Sequence, residues 1–284
     1  MAGRRVVVVP GNHDHRLAEP LLERHAVEDR AIGLEQREGA RGETAKCVAG
    51  WLGRTEMEIA YPGVWLREDV YATHGHYMDC HRHLPRLECI AAAAGVRAYG
   101  GLPHPSTPDD YERVLWPVYG LGFGLAQARI SANILRCSER MWSVLTTESG
   151  GSNWVTRGIL KAGLPVAIAG LNAALRAQFL NNLSVDLISS SGVAAAVEMI
   201  GLLDVGAKYV ITGHTHRPGP GPEDGCWPLT NGMTLFNTGS WISTTAFERD
   251  RDSDRFRPGT ITWVEHEGPP RQVSLLAPKK LLSC

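Results

Sequence analysis

Near its start the chain has four consecutive β-branched residues, Val6 to Val9, closed by Pro10 and Gly11. Such a run predicts a short strand buried on both faces, as in α/β sheets, and the Pro-Gly pair ends it sharply. Leu17 to Glu38 carries Glu, Arg, Leu and Ala in a helical pattern, broken by Gly39 and Gly42. Trp51 to Ile59 and Val64 to Tyr71 predict two further elements, with Tyr61-Pro62-Gly63 as the turn between them. From about Asp79 to Ser190 the strand signal fades and the apolar spacing becomes helical. Within that region, Pro103 to Asp110 reads as a loop leading to a helix capped by Thr107 or an Asp. Tyr111 to Leu135 and Trp154 to Leu180, the latter broken by Pro165, follow as helical stretches. The α/β pattern then returns: a helix over Val193 to Leu203, strands over Ala207 to Thr212 and Met233 to Phe236, and a sheet-edge strand over Thr260 to Glu265.

The 284 residues suffice for one large domain or two small ones. Hydrophobic content of 43% and charged content of 21% describe an ordinary globular composition. The formal net charge of −1 gives no sign of a nucleic-acid partner. Six cysteines are scattered without a Cys-x-x-Cys pair, which favours isolated thiols over a disulfide framework or zinc knuckle. No signal-peptide pattern precedes Val6, so the expected location is cytoplasmic. Lys161, Pro165, Asn172 and Arg176 interrupt the most apolar helix, which falls short of the ~20 apolar residues that span a membrane. Peripheral membrane contact by that helix stays open.

Chemistry-bearing residues gather at three predicted strand ends. Gly11-Asn12-His13-Asp14 follows the valine strand. Thr73-His74-Gly75-His76 ends a second strand, and Gly213-His214-Thr215-His216-Arg217-Pro218 ends a third. Ligands in open α/β sheets bind just outside the carboxyl ends of strands, so three such ends are expected to converge on one site. Imidazole, amide and carboxylate donors suit borderline divalent ions such as Mn, Fe, Zn or Ni.

In these motifs the chain resembles the calcineurin-like metallophosphoesterase superfamily, whose ordered pattern is Asp-x-His, Gly-Asp-x-x-Asp, Gly-Asn-His-Asp, a lone His and Gly-His-x-His. The last three are present in order. The resemblance implies a sandwich of two mixed β-sheets flanked by helices, with a dinuclear metal centre. Carried over by position, Asn12, His74 and His214 would bind the second metal and His216 the first. His13 would protonate the leaving oxygen, with Asp14 orienting its ring. Arg217 and His76 would contact the substrate, a phosphorylated small molecule or a lipid-like one. Ligating atoms about 4–6 Å apart are expected.

The first two motifs of the pattern are not in place: only eleven residues precede Asn12, and none is Asp, Glu or His. The expectation is therefore an N-terminally incomplete core, weak or inactive alone, with an uncovered sheet edge near Val6 to Val9. The core is expected over 1–79 and 191–284, and a helical insertion over 80–190 as a lid. That insertion is similar to the helical cap of the UDP-diacylglucosamine pyrophosphatase branch, which also carries Gly-His-Thr-His-Arg-Pro. Two classes stay open: a metal-dependent phosphoesterase acting on a phosphomonoester, phosphodiester or pyrophosphate, and a non-catalytic metal-binding or interaction protein on the same scaffold.

Overall fold

A computed structural model describes residues 4–127, 154–180, 185–221, 224–241 and 258–276. The chain divides into two compact units, residues 1–75 with 205–284 and residues 76–204. The helical unit thus takes in His76 to Asp79 and the helix before Asp204, both of which the sequence pattern places in the core.

The first unit is built on a mixed sheet. Its strands are β1 (Arg5–Val8), β2 (Glu35–Gly39), β3 (Glu56–Arg67), β4 (Val70–Thr73), β5 (Tyr209–Thr212) and β6 (Thr234–Asn237). The order is β1-β3-β4-β5-β6, with β2 also paired to β3. The pair β7 (Thr260–Trp263) and β8 (Arg271–Ser274) forms a separate antiparallel sheet. The described strands are therefore one six-stranded sheet, five strands in line with β2 paired beside β3, and a two-stranded hairpin, where two larger mixed sheets are expected. β1 is the terminal strand of the line, and Val6 to Val9 are only half-buried. An edge strand needs full cover less than a central one does, which corrects the reading of this run as buried on both faces.

β3 organises the unit. Its first half pairs parallel with β1 (Val8 opposite Ile59) and antiparallel with β2. Its second half pairs antiparallel with β4 (Gly63 opposite Thr73). The predicted turn at Tyr61-Pro62-Gly63 is instead the middle of this strand. Pro62 sits at the end of the β2 ladder, where a missing N–H does least harm. Gly63 is required, because a Cβ there would lie 2.2 Å from Tyr71 Oη and 2.7 Å from the Ala72 carbonyl oxygen. β4, β5 and β6 run parallel, so their carboxyl ends share one edge. β2 escaped the helical reading of Leu17 to Glu38, in which only Glu19–Val27 (α1) is helix. Its Glu35 accepts the Trp65 N–H at 2.7 Å, and Glu38 takes Arg24 at 2.8 Å and Arg41 at 2.7 Å. α1 buries Leu21 and Leu22 beside Tyr61, while α2 (Gly42–Trp51) sets Ala45 against Met57 and Ile59.

The second unit contains α3 (Leu87–Ala98), α4 (Pro108–Gln127), α5 (Trp154–Leu175) and α6 (Val185–Leu202). Asp110, in the first turn of α4, supplies the carboxylate half of a capping box: its Oδ2 accepts the Thr107 N–H and hydroxyl, at 2.9 and 2.7 Å. Pro165 lies within α5 without ending it. Cys89, Ile168 and Phe179 form a core cluster, and Tyr77 stacks on Tyr111 with ring centroids 4.6 Å apart. Residues 128–135, the end of the helical stretch expected from Tyr111, lie outside the described residues. No helix among the described residues is long and apolar enough to cross a membrane.

Candidate functional site

The strand ends meet, but by a route different from the one expected. β1 and β4 are antiparallel in direction, because β3 is parallel to one and antiparallel to the other. Each runs toward the middle of β3, and their last paired residues face Ile59 and Gly63, four positions or roughly 13 Å apart along that strand. The segment after β1 therefore runs into the segment after β4.

Gly11 is the point of contact. A Cβ at this position would lie 2.2 Å from His74 Cδ2 and 2.4 Å from Nε2, so the bare backbone is what admits the His74 ring. His74 Nε2 then stands 3.3 Å from Asn12 Oδ1. The His214 ring packs edge-on against His74, with centroids 5.3 Å apart. The His74 carbonyl accepts the N–H groups of both Gly213 (3.1 Å) and His214 (3.0 Å), which fixes β5's exit against that of β4. Asn12, His74 and His214 thus come together from three separate strand ends.

Two ligands bound to one ion through bonds of ~2.1 Å are separated by about 3.0–3.4 Å for right-angled to tetrahedral placement. The 3.3 Å between Asn12 Oδ1 and His74 Nε2 falls in that range. It is tighter than the expected 4–6 Å, a spacing suited to ligands on opposite sides of an ion. Without a cation the pair is held by Nε2–H donating to Oδ1. In the other tautomer, with the proton on Nδ1, Nε2 and Oδ1 are two neutral lone-pair donors facing one point, which suits a divalent ion. The fit stops at one ion. Among the described residues no three His, Cys, Asp or Glu side chains form a group able to hold a metal, so His216 does not join His74 and His214. His216 closes a tight turn instead, with its N–H donating to the Gly213 carbonyl at 3.0 Å and φ at +61°.

The remaining predicted residues divide. His13 and Asp14 are exposed on the turn after β1. Asp14 Oδ1 accepts the Gly11 N–H at 2.6 Å, so the carboxylate holds the turn that carries Asn12 and His13. Arg217 departs from its expected substrate role. It is buried, its guanidinium donates to the Asp224 carboxylate, and it lies over the Trp227 ring at 4.8 Å. That pairing ties one arm of the guanidinium to Asp224, while Nε is buried without a hydrogen-bond partner. His76 departs likewise: it is 1% exposed in the helical unit, edge-on to Tyr77 and Tyr119, and so not open to substrate. His15 is also core, against Tyr61.

One residue supports the site without having been singled out for it. Asn237, 2% exposed at the end of β6, donates to Thr212 Oγ1 (3.2 Å) and Thr215 Oγ1 (2.9 Å) and accepts the Gly239 N–H (2.8 Å). It therefore clamps the Gly-His-Thr-His turn from within. Asn237-Thr238-Gly239, following a strand, is the signal that points to it. No protein-family model, curated protein or solved structure matches the chain.

Proposed function

We propose that the chain is a metal-dependent phosphoesterase of the metallophosphoesterase type, acting on a phosphomonoester, phosphodiester or pyrophosphate, and that the two-sheet sandwich of that superfamily is its parent architecture. The observation that carries the reading is the approach of Asn12 to His74 at 3.3 Å beside the His214 ring, made possible by Gly11. A divalent ion held by these three would supply positive charge for phosphoryl oxygens and a water of lowered pKa. The other roles belong to the chain itself. His13, adjoining Asn12 and exposed, is placed to give a proton to the leaving oxygen. Asp14 fixes the turn from which His13 projects. Asn237 keeps His214 in place through Thr215.

Turnover is expected to be low, because among the described residues no carboxylate joins the cluster to bridge a second ion. The same observation favours a second reading, metal binding without turnover. An aryl phosphodiester assay with and without Mn decides between them. Under the first reading, weak Mn-dependent release falls in both His13→Ala and His214→Ala, with metal binding lost only in His214→Ala. Metal binding with no release at all selects the second. Neither binding nor release overturns both.

A further inference from the structure

The helical unit holds a pocket of about 510 Å³ that the strand-end chemistry does not use. Its walls include Arg82, Arg97 and Arg176, the imidazoles of His81 and His83, and an apolar side made by Val96, Leu175 and Phe179 among others. Glu198 is the single carboxylate in the lining, and it is engaged by His81 Nδ1 at 3.2 Å. Asp79 stands behind Arg82 at 3.9 Å, so with neutral histidines three guanidinium groups against two carboxylates leave one positive charge in excess.

Arg82 is the residue that needs explaining. Its side chain is 3% exposed, and its Nε and Nη1 are buried without a hydrogen-bond partner. The nearest carboxylate, Asp79, lies 3.9 Å from Nη1, beyond hydrogen-bond reach. Burial pushes its guanidinium below the usual range. A buried cation with free donors is a cost that folding alone gives no reason to keep. Arg97 and Arg176 have an ordinary explanation, since they stand at the carboxyl ends of α3 and α5, where cations are favoured. Helix ends do not account for Arg82. Among the described residues neither Arg97 nor Arg176 has an ion-pair partner, so their charge also faces the pocket uncompensated. The wall is firmly held: Phe179 N–H donates to Asn172 Oδ1 at 2.7 Å, and Leu180 N–H to the His83 carbonyl at 2.7 Å.

We propose that this pocket binds a phosphate monoester with an apolar body, its phosphate on Arg82, Arg97 and Arg176 and its body against Val96, Leu175 and Phe179. Guanidinium forks match phosphate oxygens bidentately, and a phosphate anion meets the excess positive charge. The volume is of the size that takes a small organic ligand rather than a bare ion. The site is separate from the strand-end cluster and does not depend on that cluster's activity.

Phenyl phosphate titrated into the full chain by calorimetry, with EDTA present, tests it. Arg97→Gln/Arg176→Gln changes two exposed residues and is expected to weaken binding about 10- to 100-fold, the effect of charge-assisted hydrogen bonds. Arg82→Met is expected to abolish binding but leaves Asp79 buried without its ion-pair partner; Arg82→Met/Asp79→Asn, which removes both charges, is expected to keep the fold and still not bind. His214→Ala is expected to bind as the parent does. Binding to phosphatidic acid vesicles but not to phenyl phosphate, lost in the same arginine variants, also supports the site and places its phosphate on a lipid. Absence of binding to either probe overturns the proposal. So does binding that survives Arg97→Gln/Arg176→Gln, and binding lost in His214→Ala alone assigns the phosphate to the strand ends. If Arg82→Met unfolds the protein and Arg97→Gln/Arg176→Gln binds normally, Arg82 is structural and the proposal fails.

Discussion

Gly11→Ala isolates the contact on which the site depends. The added Cβ would stand 2.2 Å from His74 Cδ2 and 2.4 Å from Nε2, whereas non-bonded carbons settle at ~3.5–4.0 Å. The imidazole must therefore retreat by roughly 1.3 Å or more. That is enough to take Nε2 out of reach of Asn12 Oδ1, now 3.3 Å away. Overpacking of this kind costs about 1–3 kcal/mol. Where no clash exists, Gly→Ala instead stabilises by about 0.4–1 kcal/mol through the unfolded chain, so the two outcomes differ in sign. Gly213→Ala is the matched control: its Cβ would meet only Thr238 Oγ1, at an ordinary 3.4 Å. Guanidinium denaturation and Mn titration of both variants give the answer. Gly11→Ala should lose stability and Mn affinity together, and Gly213→Ala should lose neither. A Gly11→Ala protein that is as stable as the parent and binds Mn equally well would refute the reasoning.

Other consequences follow from the same contacts. Asn237→Ala should cost about 2 kcal/mol in denaturant unfolding, by leaving the buried Thr212 hydroxyl and the half-buried Thr215 hydroxyl without their donor, and should weaken Mn binding as the His214 turn loosens. Asp110→Ala should cost about 1 kcal/mol by removing the acceptor of the Thr107 N–H at the start of α4, and leave Mn binding untouched. Burial pushes the Cys89 thiol and the Tyr71 and Tyr111 phenols above their ordinary values of 9.0 and 10.0. Above about pH 9 only the unfolded chain ionises there, so their contribution is complete below that pH and is lost as pH rises; stability that stays level toward about pH 10.5 contradicts it. On the acid side, burial lowers the His81 pKa despite Glu198, so its contribution holds above about pH 6.5 and fades as pH falls. Thiol labelling of the native protein should modify the exposed Cys47 and Cys226 and spare the buried Cys89.

Local chemistry was the readable part of the sequence. Thr107 and Asp110 named their cap, and the strand-to-ligand junctions at Asn12, His74 and His214 could be read from a strand pattern followed by glycine and polar side chains. What escaped depends on partners distant in sequence. Glu35 to Glu38 looks helical because its charges resemble an exposed helix face; only β3, with Trp65 and Arg24 as partners, makes it a strand. Pro62 and Gly63 look like a turn because their reason for being there, the end of the β2 ladder and the Tyr71 hydroxyl, lies elsewhere in the chain. Arg217 and His76 carry reactive groups beside the motifs, but the next few residues bury them. Proximity to a motif in sequence says where the backbone goes, not what the side chain meets.

The most direct test of the account is a calorimetric titration of the purified chain with Mn, repeated for Asn12→Ala, His74→Ala and His214→Ala, with the exposed His266→Ala as control. The strand-end cluster predicts one ion bound per chain, lost or weakened at least about tenfold in each of the three variants and unchanged in the control. His216→Ala should have the smaller effect, since among the described residues it forms no metal-holding group with the other two histidines. Absence of Mn binding by the parent chain, or binding that all three variants retain, would contradict the account.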